Sequence, residues 1–181
     1  MYYNKDKKVI VSKSFKTASS SFYCFLKRNA RIGEFALMNQ HLTLKQIINK
    51  FNLNKNKVIK IVQVRNPWDY VVSSYYWAKD QKKCPQGYTF EDFIFKPSKF
   101  NWQKQLDFWD LNYIDNFIKY EHLENDIKAF CQTHDFSYDY LSKEKGGIRP
   151  QISYIEVHTP KTKEYIQEIF KNQIKTFNYE Y

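Results

Sequence analysis

Two stretches of this chain carry residue types suited to binding and using anions. In the first, Phe15-Lys16-Thr17-Ala18-Ser19-Ser20-Ser21, a lysine stands just ahead of a run of hydroxyl side chains. A loop of this kind that opens a helix offers backbone N–H groups and the positive end of the helix dipole, both of which attract phosphate or sulfate oxygens. Lys16 adds a point charge there, and Thr17, Ser19, Ser20 and Ser21 add hydroxyl donors. The glycines and the Gly-Lys-[Ser/Thr] ending of the GxxxxGK[ST] nucleotide loop are absent, which disfavours an NTPase. In the second stretch, Val64 to Trp77, Arg65 closes a β-rich run and Ser73 follows eight residues on, about two helical turns into the next element. A planar guanidinium fork and a hydroxyl converging at the carboxyl end of a strand make a monophosphate clamp.

These residues need a scaffold that ends strands in loops and starts helices from them. Lys8 to Ser12 is a short β-rich run, and the helix-like segment Phe22 to Leu26 follows the hydroxyl-rich loop. Val58 to Val64 has β-branched residues at nearly every other position and reads as the central strand. Asn66 and Pro67 then fit a helix start, Asn66 as N-cap and Pro67 at the first helical position, with the helix running towards Trp77. A third strand is expected at Asn116 to Tyr120 and an amphipathic helix from about Leu123 to His134. Thr159-Pro160 repeats the cap-and-proline signal, and Tyr165, Ile166, Ile169, Phe170 and Ile174 predict one closing helix. The stretch from Lys79 to Phe100, broken by Pro85, Gly87 and Pro97, is the least regular and reads as an acceptor-side loop.

Strands alternating with helices imply an α/β fold: a single P-loop-like domain over residues 1–181, with a central parallel β-sheet flanked by helices on both faces. A length of 181 residues with 43% hydrophobic content suits one such core. The charge of +10 favours an anionic partner: nucleotide, nucleic acid, phosphate or sulfated sugar. Cys24, Cys84 and Cys131 are odd in number and widely spaced, so they read as reduced thiols. Cys131 and His134 alone make a poor metal site, and no metal is expected. With neither a long apolar run nor a leader-like N-terminus, a soluble, cytoplasmic protein is expected.

The chain resembles the 3′-phosphoadenosine 5′-phosphosulfate (PAPS)-dependent sulfotransferase family, its carbohydrate-type and small bacterial or viral members in particular. Phe15 to Ser21 is similar to the family's PKTGTTS or PKTAGTS loop, with Phe15 in place of proline and serines in place of Gly and Thr. Arg65, Asn66, Pro67 and Ser73 match the Arg-[Asp/Asn]-Pro element and its serine eight positions on. Phe117 to Asp126 resembles the family's RFEHLEEDF segment, and Arg149-Pro150 onward resembles its ending.

The resemblance implies transfer of a sulfuryl group from PAPS to a hydroxyl or amine acceptor, with a carbohydrate first among acceptors, and release of adenosine 3′,5′-bisphosphate (PAP). It gives Lys16 the leaving oxygen, the loop Lys16, Thr17, Ala18, Ser19, Ser20 and Ser21 the phosphosulfate, and Arg65 and Ser73 the 3′-phosphate. It makes Arg149, in the loop from Lys145, a further donor contact, and requires neither a metal nor a nucleic-acid partner. His41 is the first candidate for the base that takes the acceptor proton, and Glu34 is the reserve. Two readings from other classes stand beside this one. The charge and aromatic content suit a nucleic-acid-binding module, and the strand-loop-helix architecture suits a P-loop-like nucleotide kinase.

Overall fold

The structure, a computed structural model, describes residues 2–4, 8–29, 41–142 and 147–181. Glu34, Lys145 and Gly146 lie outside the described residues. The chain divides into two compact units, each made of two stretches: Met1–Val64 with Asp107–Glu144, and Arg65–Leu106 with Lys145–Tyr181.

The first unit holds the sheet. Its strands are β1 (Tyr2–Asn4), β2 (Val9–Ser12), β3 (Ile59–Val64) and β4 (Asn116–Lys119), hydrogen-bonded in the order β1-β2-β3-β4. β2, β3 and β4 run parallel, with Val11 opposite Ile61 and Val62 opposite Phe117. The parallel sheet is as the sequence predicts. β1 is an addition to it: Tyr2–Asn4 pairs antiparallel with β2, a strand too short to give a periodic signal of its own.

Alternation along the strands sorts the core. Val9 and Val11 of β2, Ile61 of β3 and Ile118 of β4 point to one face. There they meet Phe22, Phe25 and Leu26 of α1 (Ser19–Asn29) and Ile127, Phe130 and Cys131 of the helix Leu123–His134. Ile10, Val62 and Val64 point the other way and are also fully buried, so both faces are covered. α2 (Leu44–Lys50) packs against β2 and β3 through an apolar side of Leu44, Ile47 and Ile48. It is started by a capping box in which Thr43 and Gln46 each bond the other's backbone N–H.

The second unit is helical and built around α3 (Pro67–Asp80). The Lys79 to Phe100 stretch is more regular than its prolines suggest, since Thr89 and Asp92 form a capping box that starts α4 (Phe90–Phe95). The short α5 (Gln105–Phe108) and α6 (Leu123–His134) bring the chain through the first unit again. The chain then continues in α7 (Tyr154–Val157), α8 (Pro160–Ile169) and α9 (Lys171–Phe177). The single closing helix read from the sequence is therefore two helices, parted at Phe170, whose φ of −106 and ψ of 16 leave helical geometry. α3 packs against α4, α7 and α8. The aromatic load forms this core, and its polar tips are satisfied: Tyr70 Oη donates to the Trp102 carbonyl at 2.9 Å and Trp68 Nε1 to the Lys163 carbonyl at 3.0 Å.

Candidate functional site

The hydroxyl-rich loop leaves β2 and enters α1 through unusual backbone. Lys16 has φ 54 and Ala18 φ 55, both left-handed, while Thr17 between them does not take a positive φ. A left-handed residue without glycine costs about 1–2 kcal/mol, so two within three residues must be imposed by their surroundings. Backbone that alternates between the right- and left-handed regions can turn successive N–H groups to one side, the geometry of an anion nest. At the start of α1, Phe22 N donates to Ala18 O at 3.2 Å, which ties the left-handed turn into the helix ladder. Left-handed backbone and a helix N-terminus thus coincide at Lys16 to Ser21.

Residues that sequence reading did not single out impose that shape. Ser14, fully buried, donates its hydroxyl to the Gln63 carbonyl at 2.6 Å, and Trp109 Nε1 donates to the same carbonyl at 3.0 Å. Thr17 is also fully buried, its hydroxyl 3.0 Å from Ser14 Oγ and 3.4 Å from the Ser14 carbonyl. Thr17 is thus committed to stitching the loop, and what it can offer an anion is backbone. Ser19 and Ser21 are buried at the mouth of α1, and Ser20 is half-buried. The only cue to Ser14 in the sequence was its place in the polar stretch; Gln63 and Trp109 reach the loop through tertiary packing alone.

His41 is brought to this loop. Its Nδ1 lies 2.7 Å from the Lys13 carbonyl, and its ring stacks on Phe15 with centroids 4.2 Å apart and planes 13° from parallel. A carbonyl only accepts, so Nδ1 carries the proton and Nε2 is the basic nitrogen of the neutral ring. Phe108 closes on Phe15 edge-on at 5.1 Å. The phenylalanine that departs from the family's proline is therefore the platform that orients His41.

The second unit holds the arginine element. Asn66 caps α3, its Oδ1 accepting from Trp68 N at 3.1 Å and Asp69 N at 3.3 Å, with Pro67 at the first helical position as the sequence predicts. The Nδ2 of Asn66 donates to the Glu180 carbonyl at 2.9 Å, a bond that aspartate in its place would lack. Arg65 is 7% exposed and binds Asp69 Oδ2 through Nε and Nη2, both at 2.7 Å. Arg149 binds the other oxygen of Asp69 through Nη1, across 80 positions of the chain. The structure thus joins Arg65 and Arg149 through a carboxylate that sequence reading passed over. Burial pushes the Asp69 carboxyl upward, but the charge and hydrogen bonds of Arg65, with those of Arg149, hold it below the usual carboxylate range.

Ser73 is buried, one turn beyond Asp69 on the same face of α3. Its neighbour Ser74 differs, since that hydroxyl bonds back to the Tyr70 carbonyl at 2.9 Å. Elsewhere, Cys131 is a core residue whose thiol burial pushes up to about 11, and the His134 ring lies against Phe130 at 5.0 Å. Among the described residues, no three metal-type ligands come together.

Residues 9–134 match the family model described as the sulfotransferase domain. The chain belongs to the PAPS-dependent sulfotransferase family. Lys16, His41, Arg65 and Ser73 of this sulfotransferase fall within the matched residues, and Arg149 falls beyond them. Among solved structures, mouse sulfotransferase SULT7A1 complexed with PAP is similar to it in fold. The TM-score is 0.62 at 14% identity, over 95% of this chain and 86% of that one. No curated protein sequence matches the chain. Family membership sets aside the nucleic-acid module and the nucleotide kinase. Among the described residues, no helix of the sulfotransferase is long and apolar enough to cross a membrane.

Proposed function

We propose that residues 1–181 act as one sulfotransferase domain that moves the sulfuryl group of PAPS to a hydroxyl or amine, with a carbohydrate as the first acceptor class to test. The observation that carries the site assignment is the left-handed backbone at Lys16 and Ala18 opening α1, within the residues that match the family. The reading needs no metal.

In this reading the Lys16–Ser21 nest receives the 5′-phosphosulfate. Arg65 and Ser73, with Arg149, receive the 3′-phosphate and so set PAPS apart from ATP. The acceptor oxygen or nitrogen forms a bond to sulfur as the bond from sulfur to the bridging oxygen breaks, and PAP departs with that electron pair. Lys16 stabilises the charge that grows on the leaving oxygen. His41 Nε2 takes the acceptor proton, its ring held by the Lys13 carbonyl and Phe15. The high charge of +10 favours an anionic glycan over a neutral one.

Calorimetric titration with PAP, adenosine 5′-phosphate and ATP, without added metal, tests the donor half of this reading. The expected result is binding of PAP well ahead of both controls. Preference for ATP, or no binding of PAP, overturns it. A panel of glycan, phenol and amine acceptors with PAPS then reads the acceptor class from PAP release.

A further inference from the structure

The Asp69 carboxylate stands between two guanidinium groups and gives one oxygen to each: Oδ2 to Arg65 and Oδ1 to Arg149. Arg149 is held on a second side as well, where its Nη2 donates to the Ile152 carbonyl at 2.7 Å. The side chains are withdrawn from solvent, Arg65 at 8% exposed, Asp69 at 14% and Arg149 at 20%. Like charges gathered at such a place repel and are only weakly screened, and the carboxylate between them offsets that repulsion. Asp69 lies in the first turn of α3, where the helix dipole and the Asn66 cap fix its backbone. Ser73 follows it at i+4, so carboxylate and hydroxyl share one side of the helix.

We propose that Asp69 is a positioning residue for the donor's 3′-phosphate, holding Arg65 and Arg149 as one two-armed clamp. This rests on the reading of Arg65 as a 3′-phosphate ligand. The three groups together carry one net positive charge, so a phosphate dianion is drawn to arms already set side by side. The opposite role, a rival anion that the phosphate must displace, predicts the opposite sign: neutralising Asp69 would then tighten binding.

The experiment measures the affinity ratio of PAP over adenosine 5′-phosphate in the unmutated protein, Arg149→Ala, Asp69→Asn and the double variant. Arg149→Ala is expected to lower the ratio about tenfold, the size of a lost hydrogen bond between charged groups. Asp69→Asn, whose amide turns a donor towards one arginine, is expected to lower it at least as far. The double variant should be no worse than Asp69→Asn alone, because the contribution of Arg149 is already lost once Asp69 no longer holds it. An unchanged ratio in Arg149→Ala, tighter PAP binding in Asp69→Asn, or losses that multiply in the double variant would each overturn the proposal. Arg149→Ala lies outside the helices, so its ratio tests the clamp even where Asp69→Asn does not fold. An unmutated protein with no preference for PAP overturns the 3′-phosphate reading itself, and that result is seen before any variant is compared.

Discussion

The loop from Lys13 to Ser21 and the cluster of Arg65, Asp69 and Arg149 both suit an anion, yet they are made of opposite materials. The loop is backbone: two left-handed residues, a helix N-terminus and buried hydroxyls that bind one another and the Gln63 carbonyl. The cluster is side chain: two guanidinium groups on one carboxylate, with charge balanced by charge. A backbone site is shaped by packing and φ, so most side-chain changes around it alter its shape only indirectly. A charged cluster is set by its charges, and a single neutralisation changes it directly. The contrast suits a division of labour in which the loop acts on the group being transferred and the cluster selects the nucleotide.

The largest effect should come from Lys16 in the backbone site. Lys16→Ala is expected to lower the rate of PAP formation about a thousandfold while PAP affinity changes little, as for loss of a group that acts on charge developed in the transition state. A loss confined to affinity would place Lys16 with the cluster in kind and break the division. His41→Asn keeps a donor for the Lys13 carbonyl but lacks a basic nitrogen. It should lower the rate about a hundredfold with unchanged PAP binding, and an unchanged rate would remove His41 from proton transfer.

The cluster should respond in the other sense. Arg65→Ala is expected to reduce the preference for PAP over adenosine 5′-phosphate roughly thirtyfold, and a loss of rate at saturating donor without loss of preference would contradict it. Its charge balance also has a pH signature. Asp69 titrates below its ordinary range in the folded chain, so the stability it lends is complete above the unfolded carboxylate value of about 4 and disappears as pH falls through the lowered folded value. Denaturant titrations across that window should show a loss in the unmutated protein that Asp69→Asn reduces. The smallest effect belongs to loop strain: Ala18→Gly, which relieves a φ of 55, should raise stability by about 1 kcal/mol. Destabilisation there would mean that the alanine methyl packs to greater benefit than the strain costs.

Much of the scaffold could be read along the chain because local rules wrote it. β3 and the helix Leu123–His134 appear where periodicity predicts them, and the Asn66-Pro67 and Thr159-Pro160 starts are capped as expected. Elements with little local signal were less legible. β1 is three residues long and exists by pairing with β2, and α4 is a six-residue helix whose capping box sits among turn residues. The break at Phe170 was hidden because the apolar spacing continues across it into α9.

The sequence by itself determined the fold class, the parallel strands with the helices that follow them, and two stretches suited to an anion, since strand alternation, helix caps and the spacing from Arg65 to Ser73 depend on near neighbours in the chain. Only the tertiary structure decided that Phe15 orients His41, that Ser14 and Trp109 tie the loop to the Gln63 carbonyl, and that Asp69 joins Arg65 to Arg149. Those contacts link residues from distant parts of the chain. No local pattern specifies them, because the cost of closing the intervening loops is met by the packing of the whole unit.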